Sequence, residues 1–501
     1  MRSPEPATNQ QWIAHEFAGV SLGDRRLEQT LVDAATTIAD QPDASHPQRF
    51  DWNELRAFYR VVDAARAQPH LLQETHRHRT RQRMEACASR VLIIHDTTML
   101  DFTTHATLQP DLGPIGNGGT TGFLQHNSLA FAPDTKQVLG LITQQTVIRQ
   151  PQPEGETRGE RMGRAHKESH LWLDGIREVG LTPNGQRWID VMDRGGDFLH
   201  AMQQSRQLGH EFIVRVCQDR RLTHTVVDAD GDEQDELSTV RTLIRTVASA
   251  ATRVVSVASR GGRPAREVVT HVGYVAVRFQ VPQWSHGLVS QAVTLIRVWE
   301  PGVDEARDAV ATAKGHVKEA EQRVATAQAV VAGLAKQRGV RAEKTAAQTE
   351  LTDAHTALAT QKALLKERVA QLQRYLDWWL ATSCHVAADH DACQVVSDYE
   401  WRWPVAEEYH KVEKTGLRSE AQRFETGPRM LAALAIVSVV AVRLLQLRYA
   451  RDEQPDAPAQ QLATDLELTL GSSDQVAYPN RDRATICRRR RAFRGLFGSE
   501  G

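Results

Sequence analysis

Cysteine is scarce and scattered. The five cysteines (Cys87, Cys217, Cys384, Cys393 and Cys487) form no CxxC pair. That excludes a disulfide framework or cysteine-based zinc site and points to a reducing compartment. Neither sign of charge is in excess: 61 Lys and Arg against 62 Asp and Glu leave a net charge of −1. A polyanionic partner would have to be met by local basic patches. No apolar run reaches the roughly 20 residues that span a bilayer. The longest, Met430 to Val442, contains Ser438 and stops at Arg443, and it reads as a buried helix of a soluble protein. The opening MRSPEPATNQ has no apolar signal core. The stretch GPIGNGGTTGFLQH is rich in glycine but lacks the strand–GxxxxGK–helix context of a phosphate cradle, so it reads as a hairpin connection. What remains is 501 residues, 41% hydrophobic and 25% charged, enough for roughly two to four structural units.

Residues 11–70 carry apolar positions at helical spacing, with a break at Gly23 and Asp24 as an N-cap. Arg25, Arg26, Arg56 and Arg60 are either phosphate contacts or solvated helix faces. Apolar runs then signal strands: VLIIHDTTMLDF, FLQHNSLAFA, QVLGLITQQTVI, RWIDVM and EFIVR. Three more follow between residues 251 and 299. Strands mixed with helices predict an α/β core. From 303 to 372 the period changes. Val303, Val310, Val317, Val324 and Val331 recur every seven residues, with Ala306, Ala313, Ala320, Ala327 and Leu334 three later; Leu351, Leu358, Leu365 and Leu372 follow beyond Gly339. These are a and d sites of an antiparallel coiled-coil hairpin.

Three acids stand out. Asp96 closes VLIIHD and Asp193 follows RWIDVM, so each reads as an acid delivered to the end of a strand. Far downstream, YEWRWPVAEEYHKVEKTG (residues 399–416) reads as a helix beginning near Pro404. At about 100° per residue, Glu407, Lys411 and Lys414 share a face, and Glu408 points toward Val405 and Val412. Glu407 and Lys411 are open to two readings: a surface i,i+4 pair, or a metal ligand flanked by a cation. Carboxylate oxygens suit Mg²⁺, and two such ions can serve phosphodiester chemistry.

Taken in order, HDTT, DRGGD and Y-x2-R…E-x6-K resemble the DDE motifs of the IS-four family of bacterial transposases, in particular its Tn-five-like group. LGDRRL near residue 22, KES at 167–169 with Trp172, FIVR at 212–215 and VAVRLLQLR at 440–448 are similar to further blocks of that family. The resemblance runs over roughly residues 11–450. It implies an RNase H-like catalytic core, a β-rich insertion carrying the coiled-coil arm, and a helical N-terminal DNA-binding domain. The corresponding partition is 1–75, 76–245, 246–390, 391–450 and a short tail at 451–501. It implies that Asp96, Asp193 and Glu407 hold two Mg²⁺ ions, replaceable by Mn²⁺, for cut-and-paste transposition through a DNA hairpin. Tyr399, Arg402, Lys411, Lys414 and Arg215 would contact DNA phosphates, as would Arg25 and Arg26 in the N-terminal domain. Trp378 matches a tryptophan that stacks on a flipped base; a core aromatic is the competing reading. His126 matches a family histidine without an assigned role. The implied partners are double-stranded DNA, both terminal repeats and target, and a second copy of the chain in a cytoplasmic synaptic dimer, with no membrane. A DNA-binding relic and a metal-dependent nuclease are the alternatives.

Two departures set expectations. Four residues, Trp403 to Ala406, separate Arg402 from Glu407, where the family has three. In an α-helix one extra residue turns Arg402 by about 100° relative to Glu407. The similarity also fades near residue 450, so the basic ending CRRRRAFRGLFGSEG reads as a truncated or frameshifted remnant, and its arginines 488–491 as a solvated tail or a DNA contact.

Overall fold

The computed structural model describes residues 8–64, 66–117, 119–150, 155, 168–227, 231–257, 264–281, 288–335 and 337–453. The tail beyond 453, its arginines 488–491, and Lys167 of the KES block lie outside the described residues. Among the described residues, twelve strands make one mixed sheet: β1 (Val91–Asp101), β2 (Gly113–Ile115), β3 (Thr120–Ala132), β4 (Gln137–Val147), β5 (Trp188–Met192), β6 (Glu211–Arg215), β7 (Arg221–Val227), β8 (Glu233–Thr239), β9 (Ala251–Val257), β10 (Arg266–Phe279), β11 (Gln291–Trp299) and β12 (Asp377–Thr382). Their order is β2-β3-β1-β5-β6-β12-β11-β10-β7-β8, with β4 on β3 and β9 on β10. The chain divides into two compact units. The described part of the first holds residues 8–237, 276–294 and 380–453; that of the second holds 238–275 and 295–379.

In the first unit β1 is central. It runs antiparallel to β3 and parallel to β5, which in turn is parallel to β6. A strand flanked on both sides and covered on both faces needs an unbroken apolar run; Val91 to Ile94 are all fully buried. One expectation is corrected here: Asp96 does not close its strand. Thr97 and Thr98, β-branched and suited to a ladder, continue the pairing opposite His126 and Gln125, and β1 reaches Asp101. Asp193 does follow directly on β5.

The helix Gly427–Glu453 contains the one segment among the described residues long and apolar enough to cross a membrane, and it lies mostly inside the protein. Its Ser438 is fully buried and hydrogen-bonded to Glu413. The helix packs on β4 and on N-terminal helices.

The N-terminal helices Asn9–Glu16, Arg25–Asp40 and Trp52–Val62 begin at side-chain caps. Asp24 accepts from the Arg26 N–H, and Asp51 from Asn53 and Glu54. Glu16 is fully buried, with His76 at 2.5 Å and Arg83 at 2.7 Å. Arg429 grips Asp63 through two hydrogen bonds of 2.7 Å.

In the second unit, two helices, Val303–Ala335 and Arg341–Leu372, form a long hairpin. Gly339, at φ +84°, lies in the turn, a backbone conformation that glycine adopts without a Cβ clash. Val310, Ala313, Ala320, Val324 and Ala327 are buried along the first helix, and Ala354 along the second. Small side chains at these sites let the two backbones approach. At the root, Arg297 is 1% exposed and pairs with both Asp377 and Asp304, and Arg307 joins both acids. There the Glu300 N–H also donates to the Leu376 carbonyl.

Candidate functional site

The β1–β5 register brings the first two acids together. Ile94 lies opposite Val191 in this parallel pair, and the same offset carried two residues on sets Asp193 beside Asp96. Adjacent strands are about 4.8 Å apart, and side chains two residues apart share a face. The neighbouring His95 therefore projects to the other face, where its Nε2 lies 3.0 Å from Asp190. Asp190 also meets His210 at 2.9 Å, and its charge raises the His210 pKa although burial opposes it. This buried His–Asp–His group braces β1, β5 and the start of β6.

Asp193 caps a 3-10 turn, accepting from the Gly195 N–H at 2.6 Å. Burial first, and next the like charge of Asp96, push its carboxyl above the ordinary aspartate range; Arg402, Gly195 and Arg215 pull the other way. Two carboxylates this close repel each other unless a cation joins them.

Arg402 supplies one. Its Nη1 donates to Asp96 Oδ2 at 2.9 Å and its Nη2 lies 3.6 Å from Glu407 Oε1. Burial disfavours the charge on this guanidinium, but Asp96, Tyr399 and Asp193 together raise its pKa. The third acid thus joins the first two through Arg402.

The extra residue between Arg402 and Glu407 is taken up by the helix itself. Pro404 does not start the helix. The helix Asp389–Glu400 already runs into this segment, and Trp403–Glu407 forms a π-helical turn, followed by α-helix at Glu408–Lys411 and a second π turn at Val412–Gly416. Proline cannot donate the i→i−4 bond and its ring crowds the preceding carbonyl, which favours a widened turn. A π turn bonds i to i+5, so residues five apart stack as residues four apart do in an α-helix. Arg402 and Glu407 are five apart and lie on one side.

The other candidate residues fall into distinct settings. Tyr399 is fully buried, and Arg402, Arg215 and Asp193 all act on its hydroxyl. Arg215 ends β6, and its guanidinium pKa is lowered, first by burial and then by Arg194 and Arg402, against the pull of Tyr399. Lys411 pairs with Glu408 at 2.7 Å instead of with Glu407; Glu408 is itself buried and also meets Arg448 at 2.7 Å. Lys414 donates to the Met99 carbonyl at 2.7 Å and meets Glu420 at 3.1 Å. Arg25, Arg26, Arg56 and Arg60 are exposed. Trp378 lies in β12 within the second unit and is 5% exposed. His126 is fully buried, takes part in a 2.8 Å hydrogen bond with Thr97 Oγ1 and packs edge-on to Trp172 at 4.7 Å.

Two residues escaped sequence reasoning. His410 is buried, and its Nδ1 lies 3.8 Å from Asp96 Oδ2. Asn127 Nδ2 donates to His410 Nε2 at 3.0 Å, because Asn127 Oδ1 is already occupied by Gln144 Nε2. The imidazole proton therefore sits on Nδ1, facing Asp96. His410 stands three residues after Glu407, a helical spacing that could have singled it out. Glu413 is fully buried, bonded by Gln125 Nε2 and Ser438 Oγ, and burial pushes its carboxyl up to about 7. Glu413 fixes the second π turn to β3 and to the helix Gly427–Glu453.

The acids offer only hard oxygen donors, and the two aspartates crowd like charge, a combination that suits a divalent cation. Arg402 is the cation that meets Asp96 and Glu407 there. Among the described residues, no group of three or more His, Cys, Asp or Glu side chains is already gathered to hold a metal.

Residues 9–67 match the transposase DNA-binding family. The match spans the helices from Asn9–Glu16 to Trp52–Val62, the segment that presents Arg25, Arg26, Arg56 and Arg60 to solvent. It supports a transposase and supports DNA as a partner. It ends before β1, so the acidic site rests on its own geometry.

Proposed function

We propose that this chain is a DNA transposase of the IS-four type. In this reading the first unit is an RNase H-like core, the helical hairpin is a coiled-coil arm of a β-rich insertion, and Asp96, Asp193 and Glu407 are the catalytic acids. The observation that carries the reading is the parallel register of β1 and β5, which runs to Ile94 opposite Val191 and points Asp96 and Asp193 toward each other just beyond it, with Glu407 tied to Asp96 through Arg402. The DNA-binding match at residues 9–67 adds independent support.

Asp96, Asp193 and Glu407 would hold two Mg²⁺ or Mn²⁺ ions. When bound, such ions activate an attacking oxygen and offset charge on the leaving oxygen of a phosphodiester. The chain's own residues do the positioning. Lys411 and Lys414 follow Glu407 on the same helix, where a point charge can fix a phosphate. Arg215 and Arg402 offer planar guanidinium forks for bidentate phosphate contacts. His410, its proton on Nδ1, faces Asp96 from 3.8 Å. Trp378 would stack on a base only after leaving its buried position. The setting is a cytoplasmic one, with two copies of the chain pairing two DNA ends.

The test is incubation with terminal-repeat DNA and Mg²⁺ or Mn²⁺. Hairpin and strand-transfer products that vanish in Asp96→Asn, Asp193→Asn and Glu407→Gln support the proposal. Binding without cleavage leaves only a DNA-binding protein, and cleavage without 3′-end joining leaves a nuclease.

A further inference from the structure

Arg402 sits where a catalytic cation has to act. Its two terminal nitrogens face different acids: Nη1 is 2.9 Å from Asp96 and Nη2 is 3.6 Å from Glu407. Arg402 and Asp96 are both buried, so that pair is poorly screened by solvent, whereas the Glu407 side chain is 44% exposed and its pair is screened. Asp96 has little carboxylate to spare, since its Oδ1 accepts from the Thr97 N–H at 3.0 Å while Oδ2 holds Arg402. No three acidic or imidazole groups among the described residues are yet arranged around a common ion position. Arg402 thus meets two of the three acids from within the chain.

We infer that Arg402 is an exchangeable counter-cation, bound to Asp96 and Glu407 when DNA is absent and transferred to a DNA phosphate when DNA arrives, so that DNA binding opens the acids to divalent metal. The inference rests on the reading of Asp96, Asp193 and Glu407 as metal-holding acids. Three features make the exchange physically reasonable. Guanidinium binds phosphate and carboxylate with the same fork geometry, so Arg402 keeps its hydrogen bonding on changing partner. Arg215, which is only part-buried, acts on Arg402, giving an incoming phosphate a second cation. Arg402 begins the π turn, a helix geometry that can relax to α-helix by a local shift and swing the side chain. Linkage then makes the coupling mutual: whatever factor DNA adds to metal affinity, metal adds to DNA affinity. A nuclease wired in this way would stay unloaded, and harmless to bystander nucleotides, until it is on DNA.

The experiment measures Mn²⁺ affinity of the full chain from the EPR signal of free Mn²⁺, with and without a non-specific 30-base-pair duplex, subtracting Mn²⁺ bound by the duplex alone. Wild type should bind Mn²⁺ weakly alone and about tenfold or more tighter on the duplex. Arg402→Gln should bind tightly without DNA and gain little from it, and Arg402→Lys should fall between. Equal Mn²⁺ affinity of the wild type with and without duplex overturns the inference, and that arm needs no variant to fold. Equal affinities of wild type and Arg402→Gln without DNA overturn it as well. The underlying site is judged separately through Asp96→Asn. If Asp96→Asn abolishes Mn²⁺ binding while DNA and Arg402 make no difference, the acids hold metal and only the exchange fails. If Mn²⁺ binding ignores Asp96, the metal site fails, and the exchange with it.

Discussion

Glu413→Gln is a clean probe of how the helix bearing Glu407 is held. The Glu413 carboxyl is fully buried, accepts from Gln125 and Ser438, and has its pKa pushed from 4.5 to about 7, mainly by burial. The sign follows from linkage. Below about pH 4.5 the group is protonated both folded and unfolded, and its contribution to stability is complete. Between 4.5 and 7 the unfolded chain gives up a proton that the folded chain retains, so stability falls as pH rises; above 7 the loss is complete. At about 1.4 kcal/mol per pH unit, a rise from 4.5 to about 7 corresponds to a loss of about 3 kcal/mol. Glutamine cannot ionise, and Gln125 can turn its amide to pair with it. Urea unfolding at pH 4.5 and pH 8 should therefore show a smaller pH-dependent loss in Glu413→Gln than in wild type, by about 3 kcal/mol. Comparing the two proteins removes the histidines, which titrate alike in both. Identical losses in both would refute the reasoning, because they would mean that Glu413 ionises in the fold as freely as in water.

Three further outcomes are expected. Asp96→Asn should destabilise the protein at pH 7 by about 3 kcal/mol, since it removes the nearest partner of the buried Arg402 charge, whereas Asp193→Asn should stabilise it by relieving like-charge crowding; urea midpoints distinguish the two. Deleting Pro404 should convert the π turn to an α turn and keep DNA cleavage within about tenfold. An alanine inserted after Pro404 should cost about 100-fold or more in the same assay by moving Glu407 out of place. Arg56→Ala and Arg60→Ala should each weaken duplex binding and lower the slope of log affinity against log salt by about 1, as read by fluorescence anisotropy across a salt series.

The strands were legible because a doubly covered strand is mostly apolar: VLII is so throughout, and WIDVM is so apart from Asp190, whose charge is met by His95 and His210. Asp193 could be placed for the same reason, since the apolar run stops one residue before it. Asp96 was misjudged as a terminus because a charged residue ends a hydrophobic pattern without ending a ladder, and Thr97 and Thr98 carried the pairing on. The register that puts Asp96 beside Asp193 is a nonlocal match with no local sign. The extra residue before Glu407 looked like a 100° twist only under α-helical geometry; the π turn that absorbs it has no composition of its own beyond Pro404. The roles of His410 and Glu413 depend on Asn127 and Gln125, 283 and 288 residues away in the chain, a distance over which periodicity carries no information.

The root of the helical hairpin has a consequence for how this chain can change over time. Glu300 and Leu376 are hydrogen-bonded neighbours, and β11 and β12 lie side by side in the sheet. Everything from 301 to 375 is therefore, in topological terms, an overgrown reverse turn. Its ends meet whatever its length, and the charge knot of Arg297, Arg307, Asp304 and Asp377 seals the base. Whole heptads can be lost or gained there without disturbing a strand. The position is a natural socket: a short turn could replace the arm beyond Arg307, which keeps the charge knot, or a fluorescent or affinity module could be grafted onto its tip, at the cost of a loop closure.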